Sequence, residues 1–270
     1  WVILETGMGG RLDATNALTP VVSVITPIGF DHMASLGHTL AVITGEKAGI
    51  IKPGVPVVSA PQESEAMEVI QRVAVERGSP LTVVETPLTC PLGLVGEHQG
   101  WNAAVAVAAL RAAGFDLPDD VIREGLRKTE WPARFQRLDD RTILDGAHNE
   151  HAAKVLVAAW RQQFGDEKAT IILGSSTGKD TSAVLRELRP IAKRWIFTGF
   201  RSHRAVPTAT VWGKMSQIDP HAEVHEAARI ADALETAGRY PERRLITGSL
   251  YFAGEVLAHR HAVACEVSDQ

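Results

Sequence analysis

Cysteine is nearly absent: Cys90 and Cys265 are the only two in 270 residues. That is too few for a disulfide framework or a cysteine-built zinc site, and a reducing compartment is the default. Positive charge is not in excess either. The chain has 28 Lys and Arg against 32 Asp and Glu, a net charge of −4, so no bulk basic field draws in nucleic acid or anionic lipid. An anionic ligand must be held by local groups. No apolar run reaches the ~18 residues of a membrane span; the longest, from Trp101 to Leu110, is alanine-rich and ends at Arg111. The start carries no basic stretch ahead of an apolar one, as a secretory signal would. Together these absences make the cytoplasm the expected compartment. A nucleotide phosphate loop is missing as well. "GSSTGKD", residues 174–180, has the wrong glycine spacing and places Asp180 where the template needs Ser or Thr. It reads as a turn with Asp180 near a helix start. There is no initiator Met, and "WVIL" at residues 1–4 reads as a strand interior. The expectation is that sequence precedes Trp1.

What is present is an alternation. Short apolar runs at residues 2–4, 21–26 and 55–59 read as buried strands. Residues 62–77 carry apolar positions at Ala66, Val69, Ile70, Val73 and Ala74, the spacing of a surface helix. A more buried helix follows over "GEHQGWNAAVAVAALRAAGF", stopped by Gly114, and another over Asp119–Lys128. Pro132 breaks the pattern, because the residue before a proline disfavours helical geometry. After it come strand 141–145, helix 150–164, strand 169–174, helix 180–193, strand 195–199, helix 225–237, strand 244–248 and a helix from about 249. Such alternation predicts an α/β protein with a mainly parallel sheet covered on both faces. Length favours two domains, with the boundary near residue 132: 1–132 and 133–270.

In parallel sheets, ligands bind beyond the carboxyl ends of the strands. The polar clusters of this sequence follow predicted strands. "ETGMGGRLDATN" (5–16) follows strand 2–4, "GFDH" (29–32) follows 21–26, "DGAHN" (145–149) follows 141–144, and "GSLY" (248–251) follows 244–247. Glu5, Asp31 and His32 suit a divalent ion such as Mg²⁺ or Mn²⁺; a capping Asp and a surface His are the simpler alternative. Glu46 and Lys47 of "GEKAGIIKPG" sit on a predicted helix, either as a solvated face or with Lys47 withdrawn from water by the apolar residues that follow. Asn149 is read as a helix cap, while Asp145 and His148 could hold a polar ligand.

These motifs, in this order, resemble folylpolyglutamate synthase/dihydrofolate synthase of the Mur ligase superfamily. "ETGMGGRLDATN", "GFDH", "GEKAGIIKPG", "HQGWNAAVAVAAL", "PARFQR", "LDGAHNEHAA" and "TGSLYF" span residues 1 to about 255. The resemblance implies a partial Mur-ligase central domain over 1–132, lacking its N-terminal part, followed by a Rossmann-like C-terminal domain over 133–270. It implies an ATP-dependent amide ligase that adds L-glutamate to dihydropteroate or folylpolyglutamates through an acyl phosphate, with ATP and Mg²⁺ bound, as a monomer. It also implies residue roles. Glu5 and His32 would be metal ligands, joined by Lys47 as a carbamate. Asp13 would be a catalytic aspartate and Ser249 a catalytic serine. Asn102, Arg134, Asp145 and His148 would contact the nucleotide. The family's Gly-rich phosphate loop, which lies upstream of "GGRLDATN", has no counterpart in these 270 residues. The expectation is that the chain alone does not ligate. The rival readings are a catalytically inactive folate- or nucleotide-binding module and a different Mur-type amino-acid ligase.

Overall fold

The computed structural model describes residues 1–264, so Cys265 lies outside the described residues. The chain divides into two compact units, residues 1–93 with 97–129, and residues 94–96 with 130–270. Among the described residues no helix is long and apolar enough to cross a membrane.

The first unit contains β1 (Ser23–Ile25), the short helix α1 (Met33–Leu36), α2 (Leu40–Ala48), β2 (Val57–Ser59), α3 (Ser64–Glu76), β3 (Leu81–Val83), α4 (His98–Ala112) and α5 (Asp119–Lys128). Its sheet has the order β1-β2-β3 and is wholly parallel, with Ser23 opposite Val57 and Val57 opposite Leu81. Successive side chains of a strand point to opposite faces, and β2 shows it. Val57 packs with Ile25, Ile43, Ile51 and Ile70 on one face; Val58 packs with Val84, Ala104 and Val105 on the other. The helical spacing of α3 is realised, with Ala66, Val69, Ile70 and Ala74 buried.

The expected strand over residues 2–4 does not form. Residues 1–6 have no regular structure, and Ile3 is 98% exposed. A strand needs a neighbour for its backbone groups, and among the described residues β1 is paired only with β2. β3 was not anticipated from the sequence.

The second unit contains β4 (Gln136–Asp139), β5 (Thr142–Leu144), α6 (Glu150–Phe164), β6 (Ala169–Leu173), α7 (Thr181–Leu188), β7 (Ala192–Thr198), α8 (Thr208–Ile218), β8 (Val224–Ala227), α9 (Ile230–Gly238), β9 (Arg243–Thr247) and α10 (Leu250–Arg260). The sheet order is β4-β5-β9-β6-β7-β8. Every pairing is parallel except β4 with β5. Ile143, Ile171, Leu173, Trp195, Phe197 and Leu245 face α6, α7 and α8, where Trp160, Leu185 and Met215 meet them. Leu144, Ile172, Ile196 and Ile246 face α9 and α10, against Ile230, Ala233, Phe252 and Val256. Each such large apolar side chain contributes about 1.5–3 kcal/mol by leaving water.

Several expectations are corrected here. The predicted helix 180–193 ends at Leu188. A single 3-10 turn over Arg189–Ile191 follows, and β7 then begins at Ala192. Pro190 lacks the N–H that a continuing helix requires. The predicted helix 225–237 is a strand followed by a helix, because Trp195–Thr198 of β7 recruit Val224–Ala227 into the sheet. β4 and α8 were not anticipated from the sequence.

Candidate functional site

In the first unit, the glycine-rich segment 5–16 is folded by one carboxylate. Asp13 Oδ2 accepts from the Gly7 and Met8 amides at 2.8 and 3.1 Å, and Oδ1 accepts from the Thr15 amide and hydroxyl at 3.0 and 2.6 Å. A carboxylate has about four acceptor positions, so this one is saturated. The same bonds, the Thr15 hydroxyl first, lower its pKa from 3.8 to about 2.

The loop so formed lies on the C-terminal end of α2. The Arg11 amide donates to the Glu46 carbonyl at 2.7 Å. The Arg11 guanidinium grips the Glu46 carboxylate with Nη2 at 2.8 Å and Nε at 3.2 Å to both oxygens. The hydrogen bond and the charge of Glu46 raise the pKa of Arg11 further. Asn16 Nδ2 donates to the carbonyls of Arg11 and Gly49, and Lys52 Nζ donates to the Asn16 carbonyl at 2.6 Å. Gly10 is required by contact. A Cβ there would stand 2.9 Å from the Lys47 carbonyl oxygen and 2.8 Å from Ile50 Cγ2. The segments "GGRLDATN" and "GEKAGIIK", more than thirty residues apart, are therefore one substructure with Lys47, half-buried, beside it.

Glu5 and His32 are both exposed. His32 holds a left-handed backbone, φ 51°, and lies 4.0 Å from the Asp31 carboxylate. Left-handed geometry in a non-glycine residue is sparsely populated and concentrates at functional positions. Among the described residues Glu5 and His32 share no hydrogen bond or ion pair with Lys47. Nor do any three His, Cys, Asp or Glu side chains there form a metal-holding group. The donor types still suit a hard cation, because Mg²⁺ commonly takes one or two protein carboxylates and fills its remaining positions with water and phosphate oxygens. Asn102 is exposed on α4, its Nδ2 donating to Gln99 Oε1 at 3.0 Å.

In the second unit, the carboxyl edge of the sheet gathers Arg134, Asp145, His148 and Ser249. Asp145 joins two segments: Oδ2 accepts from the Phe135 amide and Oδ1 from the Ala147 amide, each at 2.8 Å. Burial raises its pKa, and these two bonds and the charge of Arg134 oppose the rise. Arg134 sits between two left-handed residues, Ala133 at φ 56° and Phe135 at φ 47°, both buried. Its guanidinium is exposed and donates to the Ala133 carbonyl at 3.3 Å. The His148 Nδ1–H donates to the Gly146 carbonyl at 2.8 Å, which sets the tautomer.

Among the described residues, three of the helices that start at this edge have a side-chain cap: Asn149 on α6, Asp180 on α7 and Ser249 on α10. The reading of Asn149 as a cap holds, and Asp180 lies at a helix start as expected. Ser249 is buried and shares a 2.7 Å hydrogen bond with Ser176. Gly248, at φ 115°, carries the chain within reach of Gly174, where a Cβ would stand 2.7 Å from the carbonyl oxygen. A separate cavity of about 530 Å³ in this unit is lined by Phe200, Arg201, Arg229, Ile230, Glu255 and His259, among others, and includes none of the residues above.

Reading the sequence missed the Arg11–Glu46 and Ser176–Ser249 pairs, the Asn16 and Lys52 latches, and the strained backbone at His32, Ala133 and Phe135. Only the alternating charges of "GGRLD" and "GEK" hinted at the first of these.

The glutamate ligase domain of Mur ligases matches residues 133–249. The dihydrofolate synthase/folylpolyglutamate synthase of Bacillus subtilis is 32% identical over 286 residues, covering 95% of this chain and 66% of the relative. The dihydrofolate synthetase of Saccharomyces cerevisiae is 31% identical over 95% of this chain and 70% of its own length. Among solved structures, Mycobacterium tuberculosis folylpolyglutamate synthase complexed with ADP and AMPPCP superposes with a TM-score of 0.84 at 28% identity, covering 97% of this chain and 68% of that one. The bifunctional folylpolyglutamate synthase/dihydrofolate synthase of Yersinia pestis, complexed with AMPPNP and Mn ion, gives a TM-score of 0.81 at 27% identity over 95% of this chain and 65% of that one. The chain spans about two thirds of the length of the curated relatives it matches.

Proposed function

The chain belongs to the folylpolyglutamate synthase/dihydrofolate synthase family of Mur ligases, and from that membership we propose that it serves ATP-driven amide formation, joining L-glutamate to dihydropteroate or a folylpolyglutamate in the cytoplasm, as a monomer. A carboxylate is a poor electrophile at neutral pH. Transfer of the γ-phosphoryl group to a carboxylate oxygen removes its charge and supplies a leaving group, and ADP departs. The amine of glutamate then attacks the acyl carbon, phosphate leaves, and the amine proton passes to solvent. The protein's part in such chemistry is positioning and charge neutralisation.

The observation that carries this reading is the carboxyl edge of the second unit, where Asp145 accepts from the Phe135 and Ala147 amides and Arg134 lies between the left-handed residues Ala133 and Phe135. A guanidinium held this way is suited to bidentate pairing with phosphate oxygens. Arg134, Asp145 and His148 are our proposed nucleotide contacts, and Ser249 a catalytic serine. Glu5, His32 and Lys47 are the proposed holders of Mg²⁺, which when bound neutralises phosphate charge. Lys47 would act as a carbamate, formed when CO₂ adds to the neutral amine and a proton leaves, turning a cation into an oxygen donor. Asp13, saturated by its own loop, is proposed to serve catalysis by shaping that loop beside the reacting carboxylate.

The test is a ligation assay with Mg²⁺, ATP, L-glutamate and either dihydropteroate or tetrahydrofolate, following ADP release and the gain of one glutamyl residue by mass spectrometry. The 270-residue chain by itself is expected to show no turnover, since it carries no phosphate loop. With the N-terminal third of the Bacillus subtilis relative fused ahead of Trp1, turnover is expected, and Arg134→Ala should lower it at least tenfold. Turnover by the chain alone would refute the need for that loop. A folded fusion that releases no ADP and forms no product would refute the ligase reading.

A further inference from the structure

The family roles leave Arg11, Glu46, Asn16 and Lys52 without a task, yet their polar contacts join two distant segments of the first unit. An α-helix ends with carbonyl groups that lack intrahelical partners, and its C-terminus carries partial negative charge. In α2 the Glu46 carbonyl receives the Arg11 amide, and a cationic side chain stands at that end, bound to the Glu46 carboxylate. Gly49, one residue past the helix, is pressed so closely that a Cβ would meet Arg11 Cα at 2.6 Å. Asn16 bridges the loop to the Gly49 carbonyl, and Lys52 holds Asn16. Lys47 lies between Glu46 and Gly49, so every contact that docks the loop also fixes the turn from which Lys47 projects.

We propose that Arg11 and Glu46 are positioning residues: their ion pair clamps the glycine loop to the last turn of α2 and thereby sets the direction of Lys47. The functional half of this inference rests on the proposed carbamate at Lys47; the clamp itself does not.

The experiment keeps the two apart. The 270-residue chain, Arg11→Met, Glu46→Gln, the charge-exchanged Arg11→Glu/Glu46→Arg pair and Lys47→Arg are prepared, with circular dichroism confirming native helix content in each. Amide hydrogen exchange reads the clamp. The amides of residues 9–13 and 47–51 should exchange about three- to fivefold faster in each single variant, the range expected for a bidentate pair at a partly exposed site, and the exchanged pair should recover part of the protection. Nuclear magnetic resonance in ¹³C-bicarbonate with Mg²⁺ reads the consequence. A carbamate carbon signal absent in Lys47→Arg should be present in the parent chain and at least threefold weaker in Arg11→Met and Glu46→Gln. Unchanged amide exchange in both single variants would overturn the clamp. Faster exchange with an undiminished carbamate signal would overturn the positioning of Lys47. No carbamate signal in the parent chain, with the exchange result intact, would refute the proposed role of Lys47 and leave the clamp standing.

Discussion

At the scale of the residue, Asp13 and Asp145 show how one side-chain type is driven in opposite directions by its surroundings. Asp13 accepts hydrogen bonds that favour its ionised form, and its pKa falls to about 2. A depressed folded-state value contributes stability that is present above the ordinary carboxylate range and is lost as pH falls through the folded value. The loop 5–16 should therefore keep its shape down to about pH 4 and loosen between about 4 and 2, seen as rising amide exchange at Gly7 and Met8. Asp13→Asn should shift that loosening out of the acid range, and an unchanged pH profile would contradict the assignment. Asp145 is raised by burial. Its ionisation therefore costs folding free energy as pH climbs past the ordinary range, the opposite sign. Removing its carboxylate is still harmful, because the Phe135 and Ala147 amides would lose their acceptor. At about 1–3 kcal/mol for each orphaned group, Asp145→Ala should lower unfolding free energy by roughly 2–6 kcal/mol in urea titration. Gly10→Ala belongs to the same scale: its new methyl would press on the backbone of α2, and overpacking of this kind costs about 1–3 kcal/mol.

At the scale of the element, α6, α7 and α10 of the second unit begin where local chemistry says they should. Asn149, Asp180 and Ser249 each accept from an amide in the first turn. Asn149→Ala should cost about 0.5–2 kcal/mol, measurable as a lower melting temperature with native secondary structure retained. A neutral result would mean that the α6 terminus is held by packing alone. Capping residues and apolar spacing are local signals, and for that reason α3, α5, α6 and the starts of α7 and α10 were legible in the sequence. The elements that escaped were decided by their neighbours. Residues 224–227 have a helix-like pattern but complete the outer edge of the sheet beside β7, and β4 exists only as the antiparallel partner of β5. Residues 1–4 have a strand-like composition, yet among the described residues no strand pairs with them. The order of the polar motifs exposed the family. Which of them touch was not legible: Arg11 meets Glu46 across 35 positions and Ser176 meets Ser249 across 73.

At the scale of the whole molecule, each unit has its own two-faced sheet and its own buried clusters. A unit with a closed core should fold alone. A fragment of residues 130–264 is therefore expected to unfold in one cooperative transition, slightly less stable than in the intact chain because Val95 packs against its core from outside the fragment. A broad, non-cooperative melt would show that its stability is borrowed. The sequence by itself determined most of the alternation of strands and helices, the buried face of α3, the cap at Asn149, and the family. These depend on side-chain period and on contacts a few residues apart, which the linear order carries in full. Tertiary structure alone decided that the glycine loop rides on the end of α2 instead of on a strand, that Asp13 closes that loop, and that Arg134 lies between the left-handed residues Ala133 and Phe135. Those outcomes depend on which distant backbone groups meet once the sheets have closed, and a pairing across the chain leaves no period in the sequence to reveal it.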